Sequence, residues 1–207
     1  MTCYIFAAGD FFGLREKPEP GDLIIAADAG YRRCTALGLR PDVVVGDFDS
    51  MPPPMGESLL RLPVEKDDTD SLYAMRLGLD RGYRDFVLYG GTGGRRSDHT
   101  LANLQSLLFL VSHRASGRMY GDGVVWRTLH DGRFDFPASA RGTLSVFCMD
   151  GEARGVTLRG LKYELDDGCL RSDFPLGVSN SFLGREASVE VKDGTLLILY
   201  DLPEEPT

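Results

Sequence analysis

The chain has 207 residues, of which 43% are apolar, enough for one large folded domain or two small ones. Its 31 acidic residues outnumber its 23 basic residues, and the net charge of −8 argues against binding to nucleic acids or to anionic membranes. No apolar run approaches the roughly 18 residues of a membrane span, and the first residues lack the basic flank of a signal peptide. We therefore expect a cytoplasmic protein.

In the first half of the chain, short apolar runs alternate with segments of helical periodicity. Four runs have the length and continuity of buried parallel strands: Tyr4–Ala8, Leu23–Ala27, Val43–Val45 and Phe86–Tyr89. Helical spacing of apolar residues begins near Tyr31, after Thr69, which we expect to be an N-cap, and after Ser97. This alternation predicts an α/β domain over residues 1–123, with a mostly parallel, doubly wound sheet.

The second half of the chain has shorter strand-like runs separated by Asp-Gly dipeptides. Because Asp-Gly favours the positive φ angles of tight hairpin turns, these dipeptides predict antiparallel hairpins. The clearest example is the segment 188–200, in which Asp193 and Gly194 separate two apolar runs. We expect an all-β sandwich over residues 124–207.

Aspartate is unusually frequent, with 21 Asp against 10 Glu, and several aspartates lie where predicted strands end or helices begin. Asp28 ends the second strand, Asp47 and Asp49 follow the third, Asp70 begins the second helix and Asp98 the third. Taken singly, Asp28 and Asp98 are typical of helix caps, and a lone Asp-x-Asp pair is a weak signal. The carboxyl ends of parallel strands meet at one edge of a sheet, however, so we expect these carboxylates to converge on a divalent cation, most simply Mg²⁺.

A glycine-rich segment joins the fourth predicted strand to the third helix. Its glycines, Gly91 and Gly93 among them, leave backbone N–H groups open to an anion just before the helix start at Ser97. Arg95 and Arg96 add guanidinium groups that suit phosphate. The segment is not a Walker A motif, because no lysine precedes Ser97. We expect a phosphate-binding loop, with a surface loop as the alternative.

These features indicate metal-assisted phosphoryl or pyrophosphoryl transfer. They leave other functions open. A metal-dependent phosphohydrolase or a D-x-D nucleotide-sugar transferase would use the same carboxylates with water or a sugar as acceptor. A non-catalytic nucleotide sensor would keep the fold without turnover.

Five segments together resemble the thiamine pyrophosphokinase family: 27–50 (ADAGYRRCTALGLRPDVVVGDFDS), 66–75 (KDDTDSLYAM), 90–103 (GGTGGRRSDHTLAN), 160–165 (GLKYEL) and 177–182 (GVSNSF). The resemblance implies an N-terminal nucleotide-binding catalytic domain, a C-terminal β-sandwich that binds thiamine and forms a homodimer, and conversion of thiamine and ATP to thiamine diphosphate and AMP.

The resemblance also implies roles for individual residues. It assigns Mg²⁺ to Asp47, Asp49 and Asp70, further catalytic carboxylates to Asp28 and Asp98, ATP binding to Thr69 and the glycine-rich segment, and thiamine binding to Ser179 and Asn180. We expect either Asp28 or Asp98 to orient or deprotonate the thiamine hydroxyl. The alternative of another class is a non-catalytic thiamine sensor with the same fold.

Overall fold

The computed structural model describes residues 1–46, 59–61, 68–94 and 96–202, with the backbone alone at 59–61. The chain divides into two compact units, Met1–Asp122 and Gly123–Thr207. Within the described ranges, no helix is long and apolar enough to cross a membrane.

In the first unit, strands and helices alternate along the chain. They are β1 (Thr2–Phe6), β2 (Leu23–Ala27), α1 (Gly30–Ala36), β3 (Val43–Gly46), β4 (Leu59–Arg61), α2 (Asp70–Asp80), β5 (Asp85–Tyr89), α3 (Ser97–Ser112) and β6 (Ser116–Tyr120). The strands pair in parallel, as predicted from this alternation, and their order in the sheet is β6-β5-β1-β2-β3-β4.

The centre of this sheet is buried on both faces. Ile5 of β1 lies opposite Ile25 on one side and Leu88 on the other, and all three side chains are buried. All residues of β3 are buried as well. Because successive side chains of a strand point to opposite faces of the sheet, both faces are covered. The continuous apolar runs in the sequence reflect this double burial.

Strand β6 was not predicted, because Gly117 and Arg118 interrupt its apolar pattern. Arg118 is nevertheless only 8% exposed, and its guanidinium donates hydrogen bonds to Glu16 and, at 2.7 Å, to Oδ1 of Asp85. Burial alone lowers the pKa of Arg118, but the hydrogen bonds and charges of these two carboxylates outweigh it and raise the pKa. The buried cation is tolerated because it is paired.

The starts of the helices show which polar residues cap them. Thr69 is confirmed as the N-cap of α2, since its hydroxyl accepts a hydrogen bond from the N–H of Leu72 at 3.2 Å. Asp28 and Asp98, which taken singly are typical of helix caps, are not caps: α1 begins at Gly30 and α3 at Ser97, and neither helix has a side-chain cap. The carboxylate of Asp98 is instead bonded to the guanidinium of Arg96.

In the second unit, the described chain forms antiparallel strands. They are β7 (Val124–Phe136), β8 (Thr143–Cys148), β9 (Glu152–Arg159), β10 (Leu165–Arg171), β11 (Asn180–Ser181) and β12 (Ala187–Asp201). Strand β12 pairs with β7 along its length, with β9 through its first half and with β8 through its second half. Strand β10 pairs with β9, and β11 with β8. Apolar side chains from these strands, including Leu144, Val156, Val189 and Ile198, form the core of this unit.

The predicted hairpin at Asp193 and Gly194 is wrong. Both residues lie inside the continuous strand β12, at a bulge where the register with β7 shifts between Val191 and Thr195. Gly194, with a φ of 114°, donates its N–H to Oδ1 of Asp131 in β7 at 2.8 Å. Asp131 itself has a φ of 41°. The positive φ angles that Asp-Gly favours thus form a bulge in a paired strand instead of a turn.

Candidate functional site

A cavity of about 380 Å³ lies in the first unit at the carboxyl edge of its parallel sheet. The residues that line it come from the carboxyl ends of β1, β2 and β5 and the segments that follow them, and from the starts of α2 and α3: Ala7, Ala8, Gly9, Ala27, Asp28, Thr69, Asp70, Ser71, Gly90, Gly91, Thr92, Gly93, Gly94, Arg96, His99, Thr100, Ala102 and Asn103. This edge is where open α/β sheets bind their ligands.

Asp28 follows β2 and adopts a left-handed backbone conformation with a φ of 48°. Its N–H donates to the carbonyl of Val45 at 2.8 Å, which ties the residue to the end of β3. Its Oδ1 lies so near Gly46 that a Cβ added there would be 2.2 Å away. Asp28 is therefore held between two strand ends, with its carboxylate beside the backbone that leads into residue 47.

Thr69 and Asp70 reach the same cavity from the start of α2. The hydroxyl oxygen of Thr69 accepts from Leu72, so this side chain also fixes the first turn of the helix. Asp70 is in that first turn, where a negative charge is favoured by the helix dipole. The cavity thus brings together two of the predicted carboxylates, Asp28 and Asp70.

The glycine-rich loop forms another wall of the cavity. Gly90, Gly93 and Gly94 all have positive φ angles, of 70°, 80° and 71°, which a side chain would disfavour. The carbonyl of Gly91 accepts a hydrogen bond at 2.8 Å from the buried amide of Asn103 on α3. The loop is therefore fixed to the helix that follows it.

The start of α3 contains an exposed ion pair. The guanidinium of Arg96 bonds the carboxylate of Asp98, with Nη2 and Oδ2 2.7 Å apart. This hydrogen bond lowers the pKa of Asp98 from 3.8 to about 2. Arg96 and His99 line the cavity, whereas Ser97 and Asp98, both within the described chain, do not.

The residues singled out from the sequence therefore divide into groups. The cavity of the first unit contains Asp28, Thr69, Asp70, Gly91, Gly93 and Arg96. Asp47, Asp49 and Arg95 lie outside the described residues. The sequence patterns did not single out the segment 7–9 or Asn103. The position of Gly9, directly after a predicted strand, is the signal that could have indicated the segment.

Comparison with known proteins identifies the family. The family model described as "Thiamin pyrophosphokinase, catalytic domain" matches residues 16–116, and the model described as "Thiamin pyrophosphokinase, vitamin B1 binding domain" matches residues 133–196. Together they span most of the chain. The chain belongs to the thiamin pyrophosphokinase family. It is accordingly an enzyme, a thiamine diphosphokinase that uses ATP.

Solved structures of thiamine pyrophosphokinases share the fold. The enzyme from Bacillus subtilis superposes with a TM-score of 0.87 at 23% identity, covering 99% of this chain and 100% of its own. That from Geobacillus thermodenitrificans gives 0.83 at 23% identity, covering 99% of each chain. The enzyme from Candida albicans gives 0.76 at 14% identity, covering 97% of this chain and 89% of its own. No curated protein sequence matches the chain.

Members of the thiamin pyrophosphokinase family use ATP, and kinase sites bind the phosphates of ATP together with Mg²⁺. Within the described ranges, no cluster of three or more His, Cys, Asp or Glu side chains forms a metal site. Mg²⁺ in nucleotide sites commonly uses only one or two carboxylates and takes its remaining ligands from phosphates and water. The carboxylates of Asp28 and Asp70 fit that donor set, since both line one cavity beside a glycine-rich loop.

Ser179 and Asn180, the residues expected near thiamine, lie in the second unit. Asn180 is only 3% exposed. Its amide oxygen accepts from the N–H groups of Tyr163 and Ser181, both at 2.9 Å, and its amide nitrogen donates to the carbonyl of Tyr163 at 2.6 Å. Ser179 is exposed, has a φ of 62° and donates its N–H to the hydroxyl of Ser145. Asn180 therefore holds the backbone at residue 163 beside β11.

Proposed function

We propose that the cavity of the first unit is the catalytic site, in which the pyrophosphoryl group of ATP is transferred to thiamine. The observation that carries this proposal is the convergence of Asp28, Asp70 and the glycine-rich loop on one cavity. Carboxylates suit a magnesium ion, and backbone N–H groups beside a helix start suit phosphate oxygens. The two kinds of group are what a magnesium–ATP complex requires.

In the proposed reaction, the hydroxyl oxygen of thiamine attacks the β-phosphorus of ATP. The bond between that phosphorus and the oxygen bridging to the α-phosphorus breaks, and AMP leaves with the bridging oxygen. The glycine-rich loop and Arg96 bind the phosphates, and Asp28 accepts the hydroxyl proton. Asp28 is preferred to Asp98 as the base because Asp28 lines the cavity and Asp98 does not.

Mg²⁺, when bound, stabilises the negative charge on the transferred pyrophosphoryl group. We propose that Asp70 holds it, together with Asp47 and Asp49, the two residues of the Asp-x-Asp pair in the sequence. This proposal is supported by Gly46, the residue before Asp47 in the sequence, which lies against the cavity residue Asp28.

We further propose the domain roles that the family resemblance implies. Residues 1–123 form a doubly wound, nucleotide-binding catalytic domain, and residues 124–207 form a β-sandwich that binds thiamine through Ser179 and the surroundings of Asn180 and forms a homodimer in the cytoplasm. The match of the vitamin B1 binding model to residues 133–196 supports the role of the second unit.

Product analysis tests the reaction. Incubation of the purified protein with ATP, thiamine and Mg²⁺ is expected to give AMP and thiamine diphosphate in equal amounts. Chelation with EDTA should stop product formation, and an excess of Mg²⁺ should restore it. ADP or free phosphate as the main product would instead indicate a kinase of another type or a phosphohydrolase, and ATP binding without turnover would indicate a sensor.

A further inference from the structure

Asp10 contacts the glycine-rich loop twice, although 84 residues separate it from Gly94 in the sequence. Its carboxylate oxygen Oδ2 accepts a hydrogen bond from the N–H of Gly94 at 2.7 Å. Its own N–H donates to the carbonyl of Thr92 at 2.9 Å. One residue thus holds the loop at two positions, Gly94 through its side chain and Thr92 through its backbone.

The contact of Asp10 is the last of a series along the segment 7–10. Beyond the ends of β1 and β5, the N–H of Ala7 donates to the carbonyl of Tyr89 and that of Gly9 to the carbonyl of Gly90, both at 2.8 Å. The two backbones approach so closely that a Cβ at Gly9 would lie 2.4 Å from the carbonyl oxygen of Gly90. The segment is therefore bound along the loop, with Asp10 at its far end.

Helix α1 supports this segment from another side through Arg33. Its Nη2 donates to the carbonyl of Ala8 at 3.3 Å, and its guanidinium lies 5.8 Å from the centre of the Phe11 ring. Burial lowers the pKa of Arg33, and the negative charge of Asp10 acts in the opposite direction. Asp10 therefore also compensates part of the cost of burying this guanidinium.

The contact of Asp10 matters because the loop is rich in glycine. Gly93 and Gly94 both have positive φ angles and line the cavity, and glycine loses more conformational freedom on ordering than any other residue. If the loop is already ordered before ATP binds, the binding free energy is not reduced by the entropic cost of ordering the loop. The N–H of Gly94 is already directed to Asp10, so this contact orders the loop and is not itself a phosphate contact.

We propose that Asp10 is a positioning residue for ATP, whose carboxylate holds Gly93 and Gly94 in the conformation that lines the cavity. The inference rests on the proposed function, because it assumes that the cavity binds the triphosphate. Asp10 acts through the loop and does not touch the reacting atoms.

Two substitutions of Asp10 provide the test. Asp10→Ala removes the acceptor and is expected to raise the KM for ATP about fivefold, because a charge-assisted hydrogen bond no longer orders the loop. Asp10→Asn keeps an oxygen that accepts from Gly94, and its KM should lie between those of the wild type and Asp10→Ala. In both variants, kcat at saturating ATP and the KM for thiamine should remain close to the wild-type values.

Asp22→Ala is the matched control. Asp22 lies in the same connection between β1 and β2 and accepts hydrogen bonds from the N–H groups of Thr2 and Glu19, at 2.7 and 2.9 Å, without touching the loop. The Asp22→Ala substitution should lower the melting temperature without changing the KM for ATP. Equal increases in this KM for Asp22→Ala and Asp10→Ala, or no increase for Asp10→Ala, would overturn the proposal.

A second measurement separates this proposal from the proposed function. Calorimetric titration with magnesium–ATP, in the absence of thiamine, should show a dissociation constant about fivefold weaker for Asp10→Ala. If the wild type binds ATP and makes thiamine diphosphate while Asp10→Ala binds ATP equally well, the role of Asp10 alone is wrong. If the wild type makes no thiamine diphosphate, the proposed function is wrong, and the titration still reports whether Asp10 orders the loop.

A substitution of Gly93 shows whether Asp10 acts through the loop. A Cβ at Gly93 would lie 2.4 Å from Oδ2 of Asp10, so Gly93→Ala disrupts the same contact. The double variant with Asp10→Ala should weaken ATP binding by less than the product of the two single effects, because both remove one interaction. Multiplicative effects would show that Asp10 and the loop act independently and would overturn the proposal.

Discussion

Asp28 and Gly46 are in direct contact at the carboxyl edge of the sheet, and the absence of a side chain at Gly46 makes room for the carboxylate. A Cβ at position 46 would lie 2.2 Å from Oδ1 of Asp28 and 3.5 Å from its Cα. Asp28 is held in this position by its N–H bond to Val45 and by its left-handed backbone. The glycine before the Asp-x-Asp pair is thus required by the aspartate at the end of the neighbouring strand.

Replacement of this glycine should displace the carboxylate. We expect Gly46→Ala to lower kcat about 100-fold, because a misplacement of about 1 Å in a catalytic group has an effect of that size. The measurement is the rate of AMP release with thiamine at saturating ATP, alongside thermal unfolding. Gly132→Ala, in β7, is the control, since a Cβ there would be 3.3 Å from its nearest neighbour. A Gly46→Ala enzyme with wild-type kcat would remove Asp28 from the catalytic site.

Removal of the charge of Asp28 should affect the chemistry more than the fold. Asparagine tolerates positive φ, so Asp28→Asn keeps the backbone conformation and removes the base. We expect a loss of turnover on the order of 100-fold or more, with an unchanged circular dichroism spectrum. Asp131→Asn provides the comparison, because Asp131 also has a positive φ but lies at the bulge in the second unit. A similar loss of turnover in both variants would contradict a specific role for Asp28.

Gly30 at the start of α1 is required by packing. A Cβ there would lie 1.8 Å from the carbonyl oxygen of Phe6, so Gly30→Ala should reduce the free energy of unfolding by about 3 kcal/mol or more. Gly38, with a φ of 69°, has open space around it, and Gly38→Ala should lose only about 1 kcal/mol from the left-handed backbone. Urea denaturation of the two variants measures the difference, and equal losses would argue against the contact with Phe6.

The ion pair at the start of α3 predicts the titration of Asp98. With a pKa lowered to about 2 by the hydrogen bond from Arg96, this carboxylate should stay ionised through the pH range in which an isolated aspartate becomes protonated. Its contribution to stability is present above its unfolded pKa of 3.8 and is lost as the pH falls toward about 2. NMR titration should place the midpoint near pH 2 in the wild type and closer to 3.8 in Arg96→Ala. An unchanged midpoint in that variant would exclude the pair in solution.

Asn180 should contribute to stability as well as to the thiamine site proposed around it. Asn180→Ala leaves the N–H and carbonyl of Tyr163 without their partner, and we expect the second unit to lose about 2–3 kcal/mol. Ser181→Ala changes the neighbouring side chain but keeps the backbone bond to Asn180, and is the control. Denaturation curves measure both. Wild-type stability in Asn180→Ala would show that these hydrogen bonds are replaced by water at no cost.

Local patterns were sufficient for much of the first unit. The strand at Leu23–Ala27 and the cap at Thr69 could be predicted because a continuous apolar run and a hydroxyl before a helix act within a few residues. Strand β6 was missed because the partners that make a buried Arg118 acceptable, Glu16 and Asp85, are 102 and 33 residues away. A pattern of apolar residues does not contain such pairings.

The Asp-Gly dipeptides show the same limit in the second unit. The sequence correctly indicated positive φ angles at Gly194 and Asp167. Whether such a dipeptide makes a turn or a bulge depends on the neighbouring strand, and here Asp131 of β7 binds the N–H of Gly194 inside a continuous strand. The preference of Asp-Gly for positive φ angles is local, but whether it produces a turn or a bulge is decided by the pairing with another strand.

The sequence by itself determined the family, the alternation of strands and helices in the first unit, and the aspartates and glycines that follow the strands, because short motifs encode each of these. The tertiary structure decided which of them meet: Asp28 and Asp70 line one cavity, whereas Asp98 does not line it and is paired with Arg96. It also decided the contact of Asp10 with Gly94. Such contacts depend on where the strand ends and loops come to lie in three dimensions, which local propensities leave open.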